Sequence, residues 1–544
     1  MIKMNLHFAI KKHFLFLAIL LIVSAYLGLK ALPEDSWDDW AFGSAQTMMT
    51  MKYWRENGII ASKFFFTPVG YSKAALHIDE PEMRHHARGS TTGGLIGNRF
   101  YYTHYPSGYL LPHGLLEKIG LESRFGHRMM ALFFSLAGII FMYALFNIIT
   151  TKTVSLIAVI YYIGSVMFLG LSDSLANMPM DDFLRFLIMF LSAYSAFKIS
   201  DGGLEKRLSF LIWFLYFILA LSSYDSTFFI FVWLIGLDVI TKKKFLWRKW
   251  LLYASAPFLA FSLQMLQNVW YLGVKDAWMD FYGSFKFRTS HAPGSMFLEK
   301  NIRAVFSPLV YMTSARARFA IIVTGFLFAA FVFLRNRFSY KWPDFKIIVL
   351  LFLSAASYPF ILVSSGYFPY QGRQMAPFVA ILLSSATVSV YFIIKKSIQT
   401  KNYKTQNIAV VFFLVCLTGF FWLLQFNRTY DYVKNWPNNK VDQKIINFAS
   451  DIKKAADGKD AMVFMMSSLS EHRYPQPEQT FEYYVGLPIL SFKNSEDLIN
   501  DLEWLKNRSE TYFLPIVVLE NPEQTKYFTN LSDKKAILIT QNEK

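Results

Sequence analysis

PEDSWDDWAFGSAQ, residues 33–46, is the stretch on which the reading of the whole chain turns. An apolar run beginning near Phe14 ends just before it, and it sets two adjacent carboxylates, Asp38 and Asp39, between Trp37 and Trp40. Tryptophans at the end of an apolar run suit a membrane–water boundary. An Asp at a helix start is also an ordinary N-cap. Taken alone, the pair reads equally well as a cap within an aromatic belt or as carboxylates held at a bilayer surface for chemistry.

Composition decides the class around it. The chain has 544 residues, of which 54% are hydrophobic and 18% aromatic, with a mean hydropathy of +0.29. These values indicate a mainly α, polytopic membrane protein rather than a string of soluble domains. Apolar stretches long enough to cross a bilayer begin near Phe14, Met129, Val154, Phe183, Leu208, Thr227, Leu251, Phe319, Ile347, Met375 and Ile408, so about eleven transmembrane helices are expected. Lys3, Lys11 and Lys12 give the first run the basic start of a signal peptide, but no small-x-small cleavage pattern follows, and it is read as a retained helix. The single cysteine, Cys416, rules out a disulfide framework and a cysteine-based metal site.

Charge fixes the orientation. With the N-terminus cytoplasmic, the inside segments collect 20 Lys and Arg, whereas the short outside turns (172–182, 222–226, 366–374) hold one, Arg373. That is the positive-inside pattern. Much of the net +17 therefore expresses topology, and nucleic-acid binding is not expected. The protein is expected in the plasma (inner) membrane as a multi-pass chain.

Three segments lie outside the apolar runs. The loop 32–127 holds six of the ten histidines; within it Ala41–Glu56 reads as an amphipathic interface helix ended by Asn57-Gly58, and 85–98 as a mobile glycine- and threonine-rich loop. The loop 273–317 is basic although it falls outside. The tail 427–544 alternates helix-like runs (441–456, 495–507) with strand-like ones (461–466, 513–519, 536–540), as a small extracytoplasmic α/β domain would. Residues 1–426 then form the polytopic domain.

Every short outside turn in the N-terminal half carries an acid: Asp173, Asp181 and Asp182, and Asp225. Asp181 after Pro179 also makes a good helix start, and Asp225 suits a plain turn. Their convergence on one face favours chemistry over capping. The string FYYTHYPSGYLLPHGLL (100–116) carries His104 and two prolines, which suits a short re-entrant or interface helix entered through a Pro turn.

These strings together resemble the GT-C integral-membrane glycosyltransferases that use polyprenyl-phosphate sugars, among them protein O-mannosyltransferases and aminoarabinose transferases. Asp38-Asp39 matches the acidic residue after that family's first span. Thr103-His104-Tyr105-Pro106-Ser107-Gly108-Tyr109 matches a His-Pro-Pro-like string closing the first outer loop. Arg128 matches a basic residue starting the second span, Met178–Asp182 a Pro-Asp-like step at the fourth, and Arg373–Pro377 an Arg-x-x-x-Pro-like entry to a late span. The likeness covers about residues 1–400. It departs from the family in having Asp-Asp rather than Asp-Glu and in lacking the second proline of the histidine string.

The resemblance implies transfer of a sugar from a polyprenyl-phosphate donor, with inversion, to an extracytoplasmic lipid, glycan or protein acceptor. A hydroxyl acceptor needs a general base; Asp38 is the first choice and Asp39 the second, with Asp181 or Asp182 orienting the acceptor or the base. Charge developing on the leaving phosphate calls for guanidinium or ammonium groups. Arg99, Arg128, Arg373 and the basic group Lys286, Arg288, Arg316 and Arg318 are the candidates, with His104 beside them. Whether a divalent metal bridges phosphate and Asp is open, since enzymes of both kinds occur in the family. Two other classes compete. A lipid-linked-glycan flippase or transporter would carry ionisable groups mid-span and internal symmetry; an O-antigen polymerase or ligase would place its large loop late.

Overall fold

A computed structural model describes residues 2–33, 35–39, 41–60, 64, 103, 105–199, 201–244, 246–275, 277–279, 281–282, 332, 344–361, 372–400, 405–436, 441, 443–458, 461–466, 478–487, 489–492, 514–519 and 537–540. Arg99, His104, the Lys286, Arg288, Arg316 and Arg318 group, the 85–98 loop, the apolar run near Phe319 and the 495–507 run lie outside these residues.

In chain order the helices are α1 (Ile2–Ala31), α2 (Ala41–Asn57), α3 (Leu110–Lys118), α4 (Arg124–Ile149), α5 (Lys152–Ile163), α6 (Val166–Leu171), α7 (Met178–Lys198) and α8 (Gly202–Ala220). There follow α9 (Tyr224–Lys242), α10 (Trp247–Leu272), α11 (Phe345–Ile361), α12 (Gly372–Thr400), α13 (Thr405–Asn435), α14 (Gln443–Ala456) and α15 (Glu478–Val485). Ten of the eleven expected apolar starts thus carry a helix. Four segments among the described residues are long and apolar enough to cross a membrane: His13–Ala31, Arg124–Ile149, Tyr224–Lys242 and Arg373–Tyr391. Lys152–Ile163 and Phe345–Tyr358 are apolar but shorter.

Local chemistry sets the breaks. The run expected from Val154 is two helices, because the chain turns at Gly164-Ser165 and the Ser165 hydroxyl caps α6 through Phe168 N at 3.2 Å. Thr151, Asp201 and Ser223 cap α5, α8 and α9 in the same way. Asn57-Gly58 ends α2 as expected, with Gly58 at φ +82° and its N–H on Trp54 O at 2.8 Å. The α2 face does not match the expected amphipathic pattern. Residues 43–51 are all buried, since α2 lies between the bundle and α15 rather than on an open interface.

Within the bundle, α4 lies along α7 and α9 along α11. Gly138 permits the first approach, because a Cβ there would stand 3.3 Å from the Phe183 backbone. Arg373–Tyr391 is 89% buried against 22% for His13–Ala31, so α12 is central and α1 peripheral. In the tail, β1 (Ala461–Met466), β2 (Ile489–Phe492), β3 (Leu514–Leu519) and β4 (Ile537–Thr540) form an all-parallel sheet of order β2-β1-β3-β4. Three of these strands match expected runs; the short β2 does not. Trp37, Ala45 and Met48 share one apolar core with Ile445, Val463, Phe481 and Ile516, joining this sheet unit to the chain around the acidic pair.

Candidate active site

Side chains from six separate helix ends and turns meet at one end of the bundle. Lys30 closes α1, Arg128 opens α4, Asp173 sits between α6 and α7, Asp181 and Asp182 open α7, Asp225 opens α9, and Arg373 opens α12. The alternation of helix direction expected from the charge pattern brings all of them to the same end.

Asp173 is the fully buried hub. It accepts from Lys30 Nζ at 2.8 Å and from Arg128 Nε at 3.0 Å, with a second, shorter bond from the same guanidinium. Burial raises a carboxyl's pKa, but Lys30 and Arg128 outweigh it and hold Asp173 below the usual carboxylate range. Arg128 also donates to Ser36 O (3.0 Å) and Ala31 O (3.3 Å), tying the start of α4 to the end of α1. Lys30 further donates to Leu169 O at 2.5 Å and lies 4.2 Å over the Trp436 ring of the α13 end.

The members of the first acidic pair face different ways. Asp38 is buried and accepts from Ser44 Oγ of α2 at 2.5 Å. Burial, then the nearby Asp173, pushes its carboxyl up, while Ser44, Arg128 and Lys30 pull it back. Asp39 is exposed. Its N–H bonds Gly170 O at 3.1 Å, and its carboxylate takes the Tyr432 hydroxyl of α13 at 3.0 Å. Partial burial pushes Asp39 up to about 6 against the pull of Lys30 and Tyr432, and the exposed edge lets water temper that rise. Gly170 is needed here: a Cβ at that position would come within 2.0 Å of Asp39 Oδ2.

The second pair divides in another way. Asp182 is held by Arg185 of its own helix at 2.5 Å, by Arg373 at 2.5 Å and by the Tyr162 hydroxyl at 2.7 Å. Asp181 turns toward Asn177, whose Nδ2 donates at 2.6 Å, and its Oδ1 has no hydrogen-bond partner among the described residues. Neither carboxylate is the N-cap; that position belongs to Asn177, which makes no side-chain cap bond. Asp225 is more than a turn residue, since it accepts from Gln374 Nε2 (2.5 Å) and Tyr105 OH (3.3 Å). Tyr105 in turn takes Asn177 Nδ2 at 2.8 Å, so the 100–116 string reaches this network. Its short helix is α3, as expected.

Arg128 and Arg373 are both buried at this end and both bound to carboxylates. They stand on either side of one turn, Arg373 Nη1 reaching Leu171 O at 3.3 Å and Arg128 reaching Asp173. Sequence reading passed over Lys30, Arg185, Gln374 and Tyr432. Lys30 had a signal, a lone cation at an outside span end against the positive-inside bias. Arg185, a charge one turn inside an apolar helix, had another. Tyr432 had none. No group of three or more His, Cys, Asp or Glu suited to a metal ion occurs among the described residues.

The fold is similar to that of a solved membrane protein, ArnT. Over 98% of this chain and 93% of the other, it superposes with a TM-score of 0.51 and 11% identity on ArnT, an aminoarabinose transferase, from Cupriavidus metallidurans bound to undecaprenyl phosphate. The same protein in the apo state gives 0.50 at 12% identity, with 97% and 93% covered. The oligosaccharyltransferase AglB from Archaeoglobus fulgidus, in complex with an inhibitory peptide and a dolichol-phosphate, gives 0.47 at 11% identity over 88% of this chain and 64% of that one. No protein-family model and no curated protein matches the sequence.

Proposed function

We propose that the protein is an integral-membrane glycosyltransferase that moves a sugar from a polyprenyl-phosphate donor to an extracytoplasmic lipid, glycan or protein acceptor, with inversion. The observation that carries this reading is the gathering of Asp38, Asp39, Asp173, Lys30 and Arg128 at one end of a bundle with the GT-C fold. Donors of the ArnT kind carry a phosphate, and ArnT itself is solved with undecaprenyl phosphate.

In the proposed reaction the acceptor hydroxyl loses its proton to a carboxylate of the Asp38–Asp39 pair as its oxygen bonds the anomeric carbon. The bond from that carbon to the phosphate oxygen breaks, and its electron pair leaves with the polyprenyl phosphate. Asp39 is the exposed member, so acceptor contact falls to it in the arrangement described; Asp38 lies against Ser44, within the field of Lys30 and Arg128. Lys30 and Arg128 neutralise the leaving phosphate, with Asp173 holding both in register. Asp182, Arg185 and Arg373 fix the start of α7 against α12, and Asp181 with Asp225 borders the acceptor.

Purified protein given polyprenyl-phosphate sugars and a membrane-extract acceptor should transfer sugar. The Asp38→Asn, Asp39→Asn double variant should lose about 10² to 10⁴ in rate while it still inserts and folds. Transfer by that variant at the parent rate would remove the base assigned to this pair.

A further inference from the structure

The link Asp35–Asp39, which carries the first acid pair, lies between α1 and α2 and belongs to neither helix. Its bonds alternate in direction. Asp35 O accepts from Val441 N at 2.9 Å, Trp37 Nε1 donates to Tyr484 OH at 3.1 Å, and Asp39 takes the Tyr432 hydroxyl at 3.0 Å. Ser36 and Asp38 are instead bonded to Arg128 of α4 and Ser44 of α2. An every-other-residue pattern of this kind is that of an extended segment. The bundle holds one side of the link, and the C-terminal part of the chain holds the other.

Trp37 anchors the link. It is only 1% exposed, and a buried indole N–H needs an acceptor, which is the Tyr484 hydroxyl. The same oxygen accepts from Arg124 Nη1 at 3.4 Å, and the Arg124 guanidinium lies 4.4 Å over the Trp37 ring. Arg124 is the first residue of α4, and Arg128 follows about one turn later. One hydroxyl, 447 residues from Trp37 along the chain, thus ties the link bearing the carboxylates to the helix bearing the cation. Tyr484 belongs to α15, whose Phe481 and Val485 are buried in the core of the C-terminal sheet unit, so that unit holds the hydroxyl in place.

We infer that Tyr484 is a positioning residue: through Trp37 and Arg124 it sets the separation between the Asp38–Asp39 pair and Arg128. The inference rests on the function proposed above, in which that pair supplies the base and Arg128 meets the leaving phosphate. Displacing one part of such a constellation by about 1 Å costs on the order of 10² in rate. Donor affinity is retained, because Lys30 and Arg128 keep Asp173 as their shared partner. The C-terminal sheet unit is then part of the apparatus that performs transfer.

The test uses the purified full-length protein and the Tyr484→Phe variant, which keeps the ring in its core and removes the oxygen. Its kcat should fall by about tenfold to 10²-fold, with the KM for a polyprenyl-phosphate sugar within about twofold of the parent. Hydrogen exchange, followed by mass spectrometry, should become on the order of tenfold faster in the peptide spanning 33–40. Exchange in the strands of the sheet should not change. Trp37→Phe should lower kcat in the same way, and the double variant should be no slower than the slower single, because both remove one bond. Multiplying losses would overturn the inference, as would exchange that quickens throughout the sheet unit, since the effect would then be one of stability. A parent kcat in Tyr484→Phe would also overturn it and leave the proposed function standing. Absence of transfer by the unaltered protein would overturn the proposed function itself. Unchanged exchange at 33–40 would overturn the inference whether or not the protein transfers sugar.

Discussion

Two pairs of adjacent aspartates, Asp38–Asp39 and Asp181–Asp182, stand at the same end of the bundle and are held in opposite ways. Asp182 is locked by two guanidiniums and a phenol, and Asp181 is buried beside it. In the first pair Asp38 is buried with the Ser44 hydroxyl on its carboxylate, and the more exposed Asp39 packs against a glycine and takes the Tyr432 hydroxyl. A carboxylate that must take a proton needs a pKa near the working pH and a path to the acceptor. A carboxylate that must hold helices together needs cations. Under the proposed function, the contrast would give chemistry to the first pair and architecture to Asp182.

That assignment breaks most visibly in single variants. Asp39→Asn should lower turnover by about 10² to 10⁴ with the thermal midpoint little changed. Asp38→Asn should lower the midpoint as well, because an amide replaces the acceptor of the buried Ser44 hydroxyl bond. Full transfer by Asp39→Asn, with loss confined to Asp38→Asn, would return the base to the buried residue.

Arg373→Ala sharpens the architectural half. It leaves Asp182 with Arg185 as its one remaining ion-pair partner among the described residues. Breaking a buried pair in this way costs about 3 to 5 kcal/mol, so heat denaturation in detergent should shift to a clearly lower temperature. Lys at this position should rescue only part of the loss, because it lacks the planar fork. A variant of parent stability that fails only in donor use would make Arg373 a phosphate ligand instead.

The smallest expected effect is on pH dependence. Asp39, raised to about 6, must be ionised to act as a base, so kcat/KM should rise with pH through about 6 and level off above it. The Tyr432 hydroxyl stabilises the ionised form. Tyr432→Phe should therefore move this acid limb to higher pH, with little change on the plateau. A limb that stays in place would show that Tyr432 does not act on the base.

Much of the fold was legible because apolar length and charge sign are local properties. Ten of eleven apolar starts carry helices, and three of the four strands fall on expected runs. The exceptions have local causes. One expected span breaks at Gly164-Ser165, where the Ser165 hydroxyl offers the following backbone an alternative partner. β2 is only four residues long, too short for a periodic signal. The site was legible in its acids, which stand out at span ends, and less so in its partners. Lys30 and Arg185 are single cations in apolar surroundings, whose meaning depends on the carboxylate each meets. Tyr432 lies 393 residues from the aspartate it touches.

The sequence by itself determined that this is a multi-helix chain with a set of acids gathered at the turns on one side and most of its cations at the turns on the other. It did so because the bilayer's dimensions and the positive-inside bias act residue by residue. Only the tertiary structure decided which carboxylate keeps a free edge. Asp38 and Asp39 are chemically identical neighbours, and their difference comes from α2 supplying Ser44 on one side and α6 supplying a bare Gly170 on the other. Desolvation and hydrogen bonding are properties of the packed surroundings, and those come from parts of the chain far from the pair itself.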